Sequence, residues 1–395
     1  MTQNYKLMHK NDVVATISLD DGNLDTLVVN AQELMPYMGI TDKTKLKKWL
    51  ENRSIPGTRE DLRRILENAG CETSAEYLYK NLAVSINDCY WLCPASESLD
   101  WKDVNPYINY CGSRMEFHND TSYDPSAALG GQMTKYVDMR DDGPYIVKAD
   151  VAFNGLRCLN EKTASTTHAL QGWNQYVDYH AFKDEKSEIV FCESKAFTSE
   201  KIEFVPAIEI IDSQKQPNEL SNYDFYIQRC EELGIDNARQ FMDYMTATDF
   251  IISNQDRHLN NFGILRDADS LQAISMAPIF DTGNSMFYRD QKTKPMSRQE
   301  ILELPISSFH KTEEKMIGHI QDRNIVNLDK LLTKEQVYSY YQKANIPEDR
   351  AKLIAANYET KRELFAEFQR GKAISVYMEK QKKKAIRPKE LEFER

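Results

Sequence analysis

The side chains best suited to chemistry lie in two stretches of this 395-residue chain, SNQDRHLNNFGILRD from Ser253 to Asp267 and APIFDTGNS from Ala277 to Ser285. The first carries Asp256 and Asn261 in the spacing D-x-x-x-x-N; the second carries Asp281 and Gly283 in D-x-G. Transfer of a γ-phosphoryl group needs its charge neutralised, a carboxylate that orients the attacking hydroxyl and takes its proton, and oxygen ligands for the metal. These residue types in this order supply those groups. Asp256 reads as the base or orienting carboxylate, Asn261 as a Mg2+ ligand through its amide oxygen, and Asp281 as the main Mg2+ ligand. Gly283 is expected to let the backbone turn sharply behind Asp281. Taken singly, each motif is ordinary turn chemistry; their order, and the apolar hairpin predicted between them, joins them into one site.

Elements have to hold such a site. A helix predicted from Asp236 to Ser253, with Phe241, Met245 and Ile252 on one face, delivers the chain into the first loop. Upstream, Tyr123 to Ile211 reads as strand-rich with one inserted helix. A glycine turn, ALGGQMTKYV, leads to the strand PYIVKAD; a helix follows from about Leu159 to Gln171, then the strand-like runs EIVFCES and EFVPAIEII. That order is expected of a nucleotide-binding small lobe, with the segment around FCESKAF as a hinge whose backbone groups bind adenine. Alternation along PYIVKAD puts Ile146 and Lys148 on one face, so an inward Lys148 needs an anionic partner. The pattern fits equally a lysine that snorkels from a strand edge.

Toward the N-terminus, strands are predicted at Tyr5 to Met8 and Val13 to Ser18, then a helical segment with Leu34, Tyr37 and Met38. A basic helix spans Lys43 to Asn52, with Leu46, Trp49 and Leu50 on one side. Another runs from Arg59 to Ala69, capped by Ser54 or Thr58. This portion shows no catalytic cluster and reads as an accessory domain or cover. After Asn218 the pattern is mainly helical, and Leu331, Val337, Tyr340, Leu353 and Phe365 are expected to pack into the larger lobe.

Composition narrows the classes. Hydrophobic residues at 41% and charged residues at 28% are those of a globular chain with room for two or three domains. Lys plus Arg number 50 against 61 Asp plus Glu, a net charge of -11, which argues against a direct nucleic-acid partner. The basic helix at Lys45, Lys47 and Lys48 and the tail with Lys380, Lys382, Lys383, Lys384 and Arg387 read as solvated faces. No stretch has the apolar length of a signal peptide core or membrane span, so a cytoplasmic protein with no membrane partner is expected. Seven scattered cysteines, Cys89 and Cys93 the nearest pair, read as reduced and structural.

The segments NQDRHLNNFGIL and APIFDTGNS resemble the catalytic and metal-binding loops of HipA-like kinases, bacterial serine/threonine kinases some of which act as toxins of toxin–antitoxin pairs. DRHLNN is also similar to the DRHxxN loop of phosphatidylinositol kinases, whose fold is related. The likeness runs in order over roughly residues 120 to 285 and is weaker around RSIPGTR. It implies that Gly130 and Gly131 belong to the nucleotide-covering loop, and that Lys148 reaches the α and β phosphates. It also implies that Glu161, in LNEKTAS, is the acid paired with that lysine; an acid favoured by the helix N-terminus is the other reading. His258 is implied to support the loop backbone, while Arg257 either holds a phosphate or pairs with an acid. The sequence departs from the family at Ala128 and Leu129, where HipA-like kinases often carry a serine that is autophosphorylated to switch the enzyme off. That control is therefore not implied here, although Ser126 and Thr134 stand nearby.

The expectation is an α+β, two-lobed kinase-like fold: an N-terminal accessory region over 1–115, a strand-rich nucleotide-binding lobe over 116–215 and a helical catalytic lobe over 216–395. The cofactors are ATP and Mg2+. The partners are a protein substrate and, by resemblance, a small antitoxin-like protein through which DNA would be met indirectly. A lipid or small-molecule kinase uses the same phosphate machinery with a different acceptor groove, and a silent nucleotide-binding module is the reading from another class.

Overall fold

The computed structural model describes residues 2–20, 23–36, 42–109 and 124–382. It is a mixed α and β structure in which three antiparallel sheets follow one another along the chain. The first sheet has the order β3-β2-β1-β4, from β1 (Thr2–His9), β2 (Asp12–Asp20), β3 (Asn23–Val29) and β4 (Tyr90–Pro94). The helix Lys43–Arg53 starts where the Asp42 carboxylate accepts the Thr44 N–H at 2.8 Å. It lays Leu46, Trp49 and Leu50 onto Leu7, Ile17 and Leu19 of the sheet, so the predicted apolar stripe is the buried one.

The second sheet, in the order β5-β6-β8-β7, comprises β5 (Thr134–Arg140), β6 (Gly143–Asp150), β7 (His180–Lys183) and β8 (Val190–Lys195). The helix Leu156–Gln171 crosses between β6 and β7 and packs on both and on β8. The third sheet is β11-β10-β9, built from β9 (Ile202–Pro206) and the hairpin β10 (Gly263–Asp267) and β11 (Ala273–Met276). Most of the chain after this sheet's first strand is helical, apart from the hairpin and the irregular segments 253–262 and 277–297 on either side of it. Ala238–Ile252 buries Phe241, Met245 and Ile252, and Glu348–Gln369 buries Ile354, Tyr358 and Phe365, in one continuous core that also takes Leu331 and Val337.

The first sheet is tied to the third through a buried carboxylate. Glu203 on β9 accepts from Arg266 Nε at 2.7 Å and from the Cys89 N–H at 2.8 Å, and meets His9 Nε2 at 2.8 Å. Burial alone would raise its pKa, but Arg266 and His9 outweigh that and hold it low. Lysines of the basic helix are similarly occupied: Lys45 donates to the Asp212 carbonyl and Lys48 to its carboxylate at 3.1 Å.

Three local expectations change. The helix expected from Arg59 begins at Leu62, and Ser54 closes the preceding helix instead of capping this one. Arg59 stays outside because its side chain is drawn into a buried site on the second sheet. The run EFVPAIEII is not one strand: Pro206 has no N–H to continue a ladder, and the chain turns directly into a helix at Ala207–Asp212. β7 was hidden in HAFK, too short for an alternation to register. Tyr37 and Met38, like Lys383, Lys384 and Arg387, lie outside the described residues. Among the described residues no helix is long and apolar enough to cross a membrane.

Candidate active site

Lys148 lies near the end of β6 with its side chain buried, and its ammonium bridges two acids from distant parts of the chain. Nζ is 2.6 Å from Glu161 Oε1 and 2.7 Å from Asp281 Oδ1. Burial along β6 does not alternate, since Val147 and Ala149 on the other face are buried as well, so it is the ion pairs that set Lys148 apart from a snorkelling lysine and answer the cost of burying its charge. Burial would lower the Lys148 pKa, yet Asp281 and Glu161 together keep it well above its ordinary value. Burial would likewise raise the Asp281 carboxyl, but Lys148 and Lys135 outweigh it and hold the group well below the carboxylate range. Glu161 is fully buried in the helix Leu156–Gln171, and its second oxygen accepts from Thr282 N at 2.8 Å and Thr282 Oγ1 at 2.7 Å. One carboxylate therefore orients both the lysine and the backbone beside Asp281.

The turn at this point belongs to Asp281 itself, whose φ is 55°, in the left-handed region that costs a side-chain-bearing residue free energy. Gly283 was expected to make that turn, and its role is different. A Cβ there would come within 3.0 Å of the Arg157 carbonyl and 3.4 Å of Glu161 Oε1, so it is glycine for close approach to the helix. Asn160, next to Glu161, donates to the Gly283 carbonyl at 3.0 Å and to that of Ser285 at 2.7 Å.

Asp256 and Asn261 sit together in the loop after Ala238–Ile252. The Asn261 amide donates to the Asp256 carbonyl at 2.8 Å, and Asn254 Oδ1 accepts the Asp256 N–H at 3.2 Å. The carboxylate of Asp256 is aimed by Asn284, whose amide donates to Oδ2 at 2.7 Å. Asn284 is three residues after Asp281, so the segment that holds the lysine pair also orients Asp256. Arg257 resolves as the acid-paired reading. Its guanidinium meets Asp249 at 2.8 Å and 3.0 Å and donates to the carbonyls of Asn261, at 2.8 Å, and Phe280, at 2.6 Å. It thus welds the two loops together. His258 is half-buried, and its Nδ1 accepts the Asn260 N–H at 3.3 Å.

Of the two loop glycines, only Gly131 is demanded by geometry. Its φ is +93°, and a Cβ would lie 2.8 Å from Lys135 Nζ and 4.0 Å from Asp281 Oδ2; a Cβ on Gly130 meets nothing. Lys135 was not singled out from the sequence. It stands directly across the ladder from Lys148, and its buried ammonium donates to the Gly130 carbonyl. Burial lowers its pKa to about 7, with Asp281 offsetting part of the effect and Lys148 adding to it. A second buried lysine beside the first, close to Asp281 and half-protonated near neutral pH, is one that an arriving anion would draw into its charged form.

The donor set fits Mg2+. With its amide nitrogen on Asp256, Asn261 has its amide oxygen to give. Asp281 offers Oδ2 on the loop side, and two hard oxygens plus phosphate and water oxygens are what Mg2+ takes. Among the described residues no group of three or more His, Cys, Asp or Glu closes into a metal cage. A small cavity lies elsewhere, behind the loop that follows Ala238–Ile252, lined by Met242, Met245, Phe309 and Met316 with Asp249 and Arg257 at its wall. Its lining does not include Lys148 or Asp281.

No protein-family model and no curated protein matches the chain. Its structural neighbours include the Helicobacter pylori proinflammatory kinase CtkA, at 16% identity and a TM-score of 0.47, over 62% of this chain and 93% of that one. Another is HipA, solved in a complex of the Shewanella oneidensis MR-1 toxin–antitoxin system with HipB and operator DNA. The likeness there has 12% identity and a TM-score of 0.46, over 92% of this chain and 90% of that one.

Proposed function

We propose that the chain is an ATP-dependent, Mg2+-requiring phosphotransferase of two-lobed kinase-like build, acting as a serine/threonine protein kinase. One observation carries the reading: Lys148 is bridged to Glu161 at 2.6 Å and Asp281 at 2.7 Å, beside a loop that must be glycine at Gly131. A buried lysine held between two acids under a backbone cradle is what phosphate binding asks for. In the proposed division, 1–115 is an accessory region, 116–215 the nucleotide-binding lobe and 216–395 the catalytic lobe, with the segment around FCESKAF, 191–197, as the hinge.

Lys148 binds the α and β phosphates, Glu161 fixes its direction, and Gly131 lets the loop backbone approach. Lys135, brought by burial to about 7, takes up a proton and adds positive charge on the same side when phosphate arrives. Asp256, aimed by Asn284, orients the acceptor hydroxyl and takes its proton as the phosphoryl group leaves ATP. Asn261 and Asp281 would hold Mg2+, which neutralises the phosphate charge. Lys148 and Asp281 form an ion pair in this structure, so phosphate bound to Lys148 would compete for the ammonium and free the Asp281 carboxylate for the cation. The resemblance of the two loops extends the proposal to a protein acceptor, a cytoplasmic setting and a small antitoxin-like partner.

The test of acceptor class is incubation of the purified chain with Mg2+, γ-labelled ATP and bacterial lysate, followed by phosphoamino-acid analysis. Label on serine or threonine is the expected result. Label confined to lipid or metabolite fractions would make it a kinase of another acceptor. ATP binding with no transfer to any pool would leave a binding module.

A further inference from the structure

We propose that Arg59 and Glu60, in the N-terminal region, are positioning residues for the nucleotide: together they hold the phosphate-covering loop at the right distance from Lys148. The proposal rests on the nucleotide-binding reading of Lys148 and Gly131.

Two successive glycines carry no side chain at the tip of the loop, so its shape depends on contacts to its backbone, one of which comes from Lys135 on its own flank and the others from outside. The Arg59 side chain is fully buried, and its guanidinium donates to backbone carbonyls on both flanks of that loop. Nη1 reaches Leu129 O at 2.8 Å; Nη2 reaches Ser126 O at 3.2 Å and Lys135 O at 3.3 Å. Nε is neutralised by Asp61 Oδ1 at 3.1 Å. The next residue adds a fourth attachment, the Glu60 N–H donating to Gln132 O at 2.9 Å. Carbonyls at 126, 129, 132 and 135 are thus fixed by one dipeptide, and Gly130 and Gly131 lie at the centre of the span. A planar fork with five donors can satisfy several carbonyls at once, which a lysine cannot.

The same dipeptide holds the opposite wall. The Glu60 carboxylate meets Arg157 Nη2 at 2.7 Å, and Arg157 in turn is locked to Asp150 at 2.7 and 3.0 Å. Asp150 is two residues beyond Lys148 on β6, and Arg157 one turn before Glu161 on its helix. The gap between loop and lysine is therefore set by a short rigid link, carbonyl to Arg59–Glu60 to Arg157, that crosses from the accessory region into the site. A region that merely covered the lobe would have no reason to grip the loop's backbone at four points.

Because the loop would contact phosphate before and during transfer, loosening it weakens nucleotide binding more than turnover. The experiment compares the full chain with Arg59→Gln, Arg59→Lys and Glu60→Gln. It measures affinity for Mg2+ with a non-hydrolysable ATP analogue, amide exchange across 126–137, and Tm. The expected result for Arg59→Gln is affinity down about tenfold or more, with kcat within about threefold and faster exchange confined to the loop. Arg59→Lys recovers part of this, and Glu60→Gln, at a more exposed position, shows a smaller loss of the same pattern. Wild-type affinity in a folded Arg59→Gln, or exchange that rises uniformly with a falling Tm, overturns the proposal. Should Arg59→Gln fail to fold, Arg59→Lys and Glu60→Gln carry the same two outcomes. If the wild type binds no nucleotide, the kinase reading fails, while the exchange data still report whether Arg59 holds the loop.

Discussion

Replacing Glu161 by Gln tests whether the lysine bridge is machinery or merely packing. The carboxylate is fully buried and accepts three hydrogen bonds, from Lys148 at 2.6 Å, Thr282 N at 2.8 Å and Thr282 Oγ1 at 2.7 Å. Gln keeps the shape but has one oxygen, and its NH2 must face a donor. Lys148 is not stranded, since Asp281 remains at 2.7 Å, so the full penalty for an unpaired buried charge does not apply. What is lost is one or two charge-assisted bonds at ~1.5–3 kcal/mol each, a total of about 3 kcal/mol. On stability this corresponds to a Tm lower by roughly 5 °C for a chain of this size. On catalysis it corresponds to about a 100-fold fall in kcat/KM for ATP, because the lysine swings fully onto Asp281 and occupies the carboxylate meant for the cation. Steady-state kinetics at several ATP concentrations, with a thermal melt on the same sample, give both numbers. In a cycle with Lys148→Met, Glu161→Gln should add little once Lys148 is gone. A Glu161→Gln enzyme within about twofold of wild type, or additive losses in the cycle, would refute the reasoning.

Other expectations follow from neighbouring features. Gly131→Ala places a Cβ 2.8 Å from Lys135 Nζ at a φ of +93°, and should raise KM for ATP well before it affects melting. Lys361 and Glu313 form a fully buried pair, each with its pKa pushed toward the neutral form by burial. Lys361→Met should destabilise by about 3–5 kcal/mol in denaturant unfolding, and adding Glu313→Leu should recover most of it. Burial holds the His168 imidazole down at about 3, below its ordinary 6.5, so the unfolded chain takes up the proton more readily. Stability must therefore fall as pH drops below that ordinary value, by about 2 kcal/mol at pH ~5 from this group alone, and His168→Gln should flatten the slope of Tm against pH.

How much of this was legible in the sequence depends on the distance over which each feature is decided. Helices such as Lys43–Arg53 and Ala238–Ile252 announced themselves because their apolar spacing is local. The acids and amides of the two loops were legible for the same reason: Asp256, Asn261 and Asp281 lie within one short stretch. Ile208 to Ile211 misled because a short apolar run fits a strand or a helix equally; a proline decided it. Arg59 misled because three carbonyls some 67 to 76 residues away draw it out of the helix. Lys135 carried no signal except its place across the ladder from Lys148, which only the register of β5 on β6 supplies. Asn160 and Asn284, which aim the backbone and Asp256, were adjacent to residues already singled out, and the pairs NE and GN were the available clue.

Asp256, Lys148 and Asp281 are proposed to transfer a phosphoryl group together. The most direct measurement is single-turnover transfer from γ-labelled ATP with Mg2+, comparing wild type, Asp256→Ala and Asp281→Asn, each shown by melting to be folded. The expected result is transfer by the wild type that stops when Mg2+ is chelated, and a fall of at least about 100-fold in both variants. In Asp256→Ala, nucleotide binding should persist. Transfer at the wild-type rate by a folded Asp256→Ala, or by Asp281→Asn, would contradict that proposal.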